Sequence, residues 1–195
     1  MVYNLEYNLG FIHIPKTGGM SIRKALKQLP GTFDSPLDHF HKFGRDIKRE
    51  VLGDCFDSIR WFAVSRNPVD LIWSSWKWIR KQKVEESYPP KFRSYVQRCQ
   101  AFKTFPDYVY KIWIGDNDFQ ISRGGFWYTY CTDHGESLNV RKLNFCDLSR
   151  DWDRMINDWQ LPEMELPRIN TTDQVKPDVS DRLRSDILQY CWLDW

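Results

Sequence analysis

Short apolar runs alternate along this chain with longer stretches in which apolar residues recur at helical spacing. Phe11, Ile12 and Ile14 form the first run, short enough for a buried strand. Pro15 closes it, having no N–H to give to a ladder. A tight turn, KTGGMS, follows over residues 16–21, and Ile22, Ala25, Leu26 and Leu29 then fall on one helical face as far as the break at Pro30-Gly31. Residues 32–43 read as loop, and 45–52 as a short helix before Gly53. The unbroken run Trp61, Phe62, Ala63, Val64 marks a second buried strand over 60–65. Pro68 suits the first position of a new helix, which Val69, Ile72, Trp73, Trp76 and Ile79 continue into the segment 77–83. Residues 82–117 are polar, aromatic and irregular, broken at Pro89-Pro90, with one short helix over 108–114. Asp133, His134 and Gly135 form a turn. A third strand is predicted over 140–145. Asp147 or Ser149 caps the helix that carries Leu148, Trp152, Met155, Ile156 and Trp159. A last amphipathic helix spans 180–192, with Leu183, Ile187 and Tyr190 or Cys191 inward. Strand–helix alternation of this kind predicts an α/β fold, a three-layer α/β/α sandwich with a mainly parallel central sheet, in one domain over residues 1–195.

Composition narrows the function classes. A chain of 195 residues can bury a sizeable core as one domain. Ten Trp, twelve Phe and nine Tyr must largely pack inside, with some left to line a groove. A net charge of +2 gives no footprint for nucleic acid or for a membrane surface. No apolar run is long enough to span a membrane, and the opening MVYNLEYNLG lacks the pattern of a secretory leader, so the expectation is a cytoplasmic protein. Cys55, Cys99, Cys131, Cys146 and Cys191 are odd in number and widely spaced. They read as free thiols and argue against zinc and a disulfide framework. The basic run Lys77, Arg80, Lys81, Lys83 reads as a solvated helix face, against the sharper idea of a track for an anionic polymer.

The chemistry lies in the turns that follow the two strands. Strand, glycine turn, helix is a layout that binds phosphate: Gly18 and Gly19 let the backbone come close, and the N–H groups of the first helical turn point at an anion. Lys16 adds a positive charge, Thr17 and Ser21 add hydroxyls, and Met20 keeps its N–H. Gly10 and Lys16-Thr17 nearly fit the nucleotide triphosphatase loop G-x-x-x-x-G-K-[ST], but Pro15 stands where that loop needs its second glycine. At the end of the second strand stands Arg66, and Ser74 lies two helical turns further on. In open parallel sheets ligands gather at such carboxyl ends. Arg66 and Ser74 can together hold a second phosphate, the arginine through a bidentate fork.

HIPKTGGMS followed by VSRNPVDLIWS resembles the PAPS-dependent sulfotransferases of the carbohydrate type, PAPS being 3′-phosphoadenosine 5′-phosphosulfate. The resemblance implies a P-loop-like nucleotide-binding fold. It implies that Lys16, Thr17, Gly18, Gly19, Met20 and Ser21 hold the 5′-phosphosulfate, and that Arg66 and Ser74 hold the 3′-phosphate. The chain departs from the usual pattern at Met20, where threonine is common, and at Ser65 and Leu71, where valine and arginine are common. The implied activity is transfer of the sulfuryl group to an acceptor hydroxyl or amine, of a carbohydrate or small metabolite, without a metal ion. Lys16 would stabilise the leaving phosphate, as in phosphoryl transfer, where positioning and charge carry most of the catalysis. His41 is the first choice for the base, with His39, Asp38 and Glu50 as alternatives. His13, inside the first strand, reads as a core residue. The aromatic cluster Phe126, Trp127, Tyr128 and Tyr130 stands in the part of the chain that builds the acceptor cleft in similar enzymes, though core packing accounts for most of these rings. The absence of an anchor favours a bacterial or viral setting over a Golgi one. Two other functions compete: a Mg-dependent P-loop kinase or nucleotide hydrolase, and a catalytically silent module of the same fold that binds a nucleotide or glycan. The leading reading requires Lys16 and Arg66 to stand close enough for one nucleotide to bridge them.

Overall fold

The computed structural model describes residues 1–34, 42–85, 89–115, 125–169 and 178–191. The chain opens with a hairpin of β1 (Val2–Asn4) and β2 (Leu9–Phe11), turned through Asn8 with its φ at 49°. Helix α1 (Gly19–Leu26) leads by way of Pro30 and Gly31 to the edge strand β3 (Phe33–Asp34). One helical turn, α2 (Gly44–Asp46), runs on as π-helix through Ile47–Leu52 and as 3-10 helix through Gly53–Ser58. Then come β4 (Arg60–Ser65), α3 (Pro68–Arg80), α4 (Pro90–Gln100) and α5 (Phe105–Tyr108), the last extended as π-helix over Val109–Ile114. Helix α6 (Gly125–Cys131) precedes a small hairpin of β5 (Thr132–Asp133) and β6 (Glu136–Ser137). The order closes with β7 (Val140–Asn144), α7 (Leu148–Asp158) and α8 (Asp181–Tyr190).

The central sheet has five strands in the order β3-β1-β2-β4-β7. It is mixed rather than mainly parallel. β2, β4 and β7 run parallel, while β1 and β3 pair antiparallel on the β2 side. The antiparallel part joins β1 to β2 on one side and to β3 on the other, and strands of two or three residues are too short to show a period in the sequence. The β2 ladder is shorter than its apolar run. Pairing stops after the Ile12 N–H donates to the Phe62 carbonyl at 3.0 Å, three residues before Pro15.

Period-two alternation sorts β4 between two cores. Trp61 and Ala63 join one with α3, α4, α6 and α8, and Phe62 and Val64 join the other with α1 and α7. Helices therefore pack against both faces of the sheet. Gly10 belongs to this packing and not to a nucleotide loop: it pairs in register with Trp61, and a Cβ there would overlap the indole. Phe126 and Tyr130 are buried in the first core, as expected for that cluster. Helix α4 corrects the sequence reading, since Pro90 takes its first position and starts a helix where a break was expected. No helix among the described residues is long and apolar enough to cross a membrane.

Candidate functional site

The helices that follow β2 and β4 go to opposite faces. Ile22, Ala25 and Leu26 of α1 lie in one core, and Val69, Ile72 and Trp76 of α3 in the other. Adjacent parallel strands with that arrangement leave a crevice at their carboxyl ends, the topological switch point where α/β sheets bind ligands. Lys16 and Arg66 stand at this point, one after each strand.

The turn after β2 is held by its own residues. Thr17 is fully buried, and its hydroxyl donates to the Ile14 carbonyl at 2.7 Å. That proton anchors the loop and is spent inside it rather than offered to an anion. Gly18 caps α1 from the left-handed region, φ 82°. Gly19 lies against the His13 ring, and a Cβ on it would penetrate that ring. His13 is buried as expected and stacks on Phe11 at 5.5 Å. The helix begins at Gly19, so Met20 and Ser21 sit in its first turn rather than in a preceding loop. The Ser21 N–H returns to the Gly18 carbonyl at 3.0 Å, while the Ser21 hydroxyl accepts from the Ile169 N–H at 3.2 Å. The backbone N–H groups of Gly18, Gly19 and Met20 meet no acceptor among the described residues. No acidic residue occupies the first turn of α1. These donors and the helix dipole favour an anion.

Arg66 reaches across the switch point. Its Nη1 donates to the Lys16 carbonyl at 2.7 Å, and its guanidinium lies 4.3 Å from the Phe145 ring centroid at the end of β7. It is 9 % exposed, and its Nε meets no partner among the described residues. Burial weighs against its charge, with Asp70 and Cys146 drawing the other way. The Lys16 ammonium stands 5.3 Å from the centroid of Trp78 on α3. Burial first, and then repulsion from Arg66, push its pKa down to about 8. Two cations thus share one partly buried place, and no carboxylate pairs with the Lys16 ammonium among the described residues.

Ser74 takes its place from α3. Asn67 caps this helix by accepting from the N–H groups of Val69 and Asp70, and Pro68 holds the first position. Asp70, Ser74 and Trp78 recur at intervals of four and so share one helical face. Asp70 acts on Arg66 and Trp78 on Lys16, so Ser74, half-buried, lies on the face turned to both. The residues that sequence reasoning passed over are Trp78, Phe145 and Asp70. The spacing 70, 74, 78 was the available signal for two of them.

His41, His39 and Asp38 lie outside the described residues. Glu50 is paired with the Lys42 ammonium. His134 is exposed in the β5–β6 turn at φ 50°, as its turn signal indicated. Lys77 and Arg80 lie over Trp73 and Trp76, at 6.0 and 4.8 Å, which accounts for part of the basic run as cover for tryptophan faces. Cys99, Cys131 and Cys191 are buried thiols, Cys55 and Cys146 are exposed ones, and none of the five is in a disulfide among the described residues. Comparison of the chain with known family models, with curated proteins and with solved structures found no match in any of the three.

Proposed function

We propose that the protein is a PAPS-dependent sulfotransferase with a P-loop-like nucleotide site at the β2/β4 switch point. The observation that carries this reading is the bond from Arg66 to the Lys16 carbonyl, which joins two cations from neighbouring strand ends beside the unoccupied N–H groups of α1. A ligand with anionic groups at two ends of one ribose matches that pairing. The 5′-phosphosulfate would lie on Gly18, Gly19, Met20 and the Ser21 hydroxyl, and the 3′-phosphate near Arg66 and Ser74. The unpartnered Nε of Arg66 is a donor that such a phosphate would satisfy.

In the reaction, the acceptor oxygen attacks sulfur as the bond from sulfur to the 5′-phosphate oxygen breaks. That electron pair stays on the phosphate, giving adenosine 3′,5′-bisphosphate. The Lys16 ammonium and the N–H groups of α1 stabilise the negative charge that grows there. A base takes the acceptor's proton, a role we assign to His41.

Calorimetry with adenosine 3′,5′-bisphosphate in the presence of EDTA tests the reading. Binding is expected without Mg²⁺, weakened roughly tenfold or more by Lys16→Ala and by Arg66→Ala, as for loss of a charged hydrogen bond. Binding that appears only with Mg²⁺ and a nucleoside triphosphate would instead make the protein a nucleotide kinase or hydrolase. Transfer of labelled sulfate from PAPS into a panel of alcohols and amines then separates an enzyme from a silent binding module.

A further inference from the structure

Trp78 has no place in the phosphate site as the sequence motifs define it, yet it touches that site's central charge. Its indole is 42 % exposed, on the same face of α3 as Ser74, and the Lys16 ammonium rests 5.3 Å from its centroid. An ammonium at that distance is held by the ring's quadrupole. Among the described residues this ring is the attraction that the ammonium meets, while Arg66 repels it. A bound phosphate offers the ammonium a full negative charge and draws it off the ring.

We propose that Trp78 is an acceptor-binding residue: its face takes the ring of a ring-bearing alcohol, and Lys16 covers that face until an anion binds in the α1 turn. The proposal rests on the sulfotransferase reading for the name of the anion, but its geometry requires only Lys16, Trp78 and an anion. The acceptor hydroxyl must meet sulfur within van der Waals reach, and sulfur must lie beside the ammonium that stabilises the leaving oxygen. A group within about 6 Å of that ammonium is therefore also beside the acceptor. Trp78 presents an exposed aromatic ring in that position. Near it stands Phe92, 6.3 Å away and tilted, which extends the apolar surface along α4. A flat ring suits such a surface, whether the C–H face of a pyranose or the π face of a phenol. Order of binding follows: the anion first, the ring second, with positive coupling between them.

Two ring probes, phenol and methyl β-D-glucopyranoside, distinguish the two sources of the ring. Each is titrated into the protein while the Trp78 indole N–H signal, assigned by its loss in Trp78→Phe, is followed by NMR. For the preferred probe, affinity is expected to rise about two- to fivefold when adenosine 3′,5′-bisphosphate is present, the size of the cation–π contact released. Lys16→Ala, which uncovers the ring, should bind the probe that tightly with no bisphosphate at all. Trp78→Ala, in which the probe's own saturation-transfer signal replaces the missing indole as readout, should lose roughly two- to tenfold in probe affinity while still binding the bisphosphate. Failure of the bisphosphate to bind counts against the proposed function and leaves the Lys16→Ala arm to judge this inference. If neither probe moves the Trp78 signal in the wild type or in Lys16→Ala, or if Trp78→Ala binds the probes unchanged, the inference is wrong.

Discussion

At Lys16 the backbone and the side chain are under separate constraints. Its φ is 65°, in the left-handed region, where an L-residue other than glycine, asparagine or aspartate is strained. Its ammonium is partly buried next to a second cation. Neither feature helps folding, and both are explained if the position is kept for ligand binding. Lys16→Gly should therefore raise the unfolding free energy read from urea titration by about 1 kcal/mol from the relieved backbone alone, while bisphosphate binding is lost. Lys16→Ala retains the strained φ and should gain less. A glycine variant less stable than wild type would show that the lysine stem contributes more through packing than its conformation takes away. The sequence placed Lys16, Gly18 and Gly19 in one turn but not the reasons for each glycine. Gly18 answers to its own dihedral, and Gly19 to the ring of His13, a neighbour that pattern reading assigns to a strand core.

Among the elements, α3 does most to assemble the site, since its start aims Arg66 and its outward face brings Ser74 and Trp78 to Lys16. Both placements depend on how the helix begins. Asn67 accepts two backbone N–H groups there, so Asn67→Ala should destabilise the protein by about 1 kcal/mol. It should also weaken bisphosphate binding, because Arg66 is the next residue back and loses its fixed departure from β4. Asn67→Ser or Asn67→Asp, which keep a capping oxygen, should restore both in urea titration and calorimetry. Stability lost with binding unchanged would mean that Arg66 is aimed by Lys16 and Phe145 alone. Strand β4 and the start of α3 were legible to the residue, since an unbroken apolar run and a Pro at the first helical position are local signals. Helix α4 was not, because its Pro pair reads equally as a stop or a start, and only the packing of Val96 and Cys99 into the core decides. The β1–β3 edge was not legible either, since pairing between distant short segments leaves no local period.

Across the whole molecule, the mixed sheet puts its parallel half at the site and its antiparallel half away from it, so the ligand-facing charge collects at one place. That charge has a signature in stability against pH. Lys16 gives up its proton near pH 8 in the folded protein, against 10.5 in the unfolded chain. Between those values the unfolded chain binds more protons, so this group makes stability rise with pH across the window. The phenols of Tyr108 and Tyr130, both buried, and of half-buried Tyr95 act with the opposite sign. Burial raises each above the ordinary value of 10.0, so above that pH the unfolded chain sheds protons that the folded protein keeps, and stability falls. The two effects together place a maximum at about pH 10 in the alkaline limb. Lys16→Met should remove the rise and leave the fall. Saturating adenosine 3′,5′-bisphosphate should also flatten the rise, because a neighbouring dianion restores the Lys16 pKa. At a hundredfold excess over Kd the ligand itself should add about 2.7 kcal/mol below pH 8, and less above it as the ammonium is lost. Urea midpoints of wild type and Lys16→Met between about pH 7 and 11, with and without the bisphosphate, check all of these. Parallel profiles for the two proteins from pH 8 to 10 would mean that Lys16 keeps its ordinary titration, and that neither burial nor Arg66 depresses it.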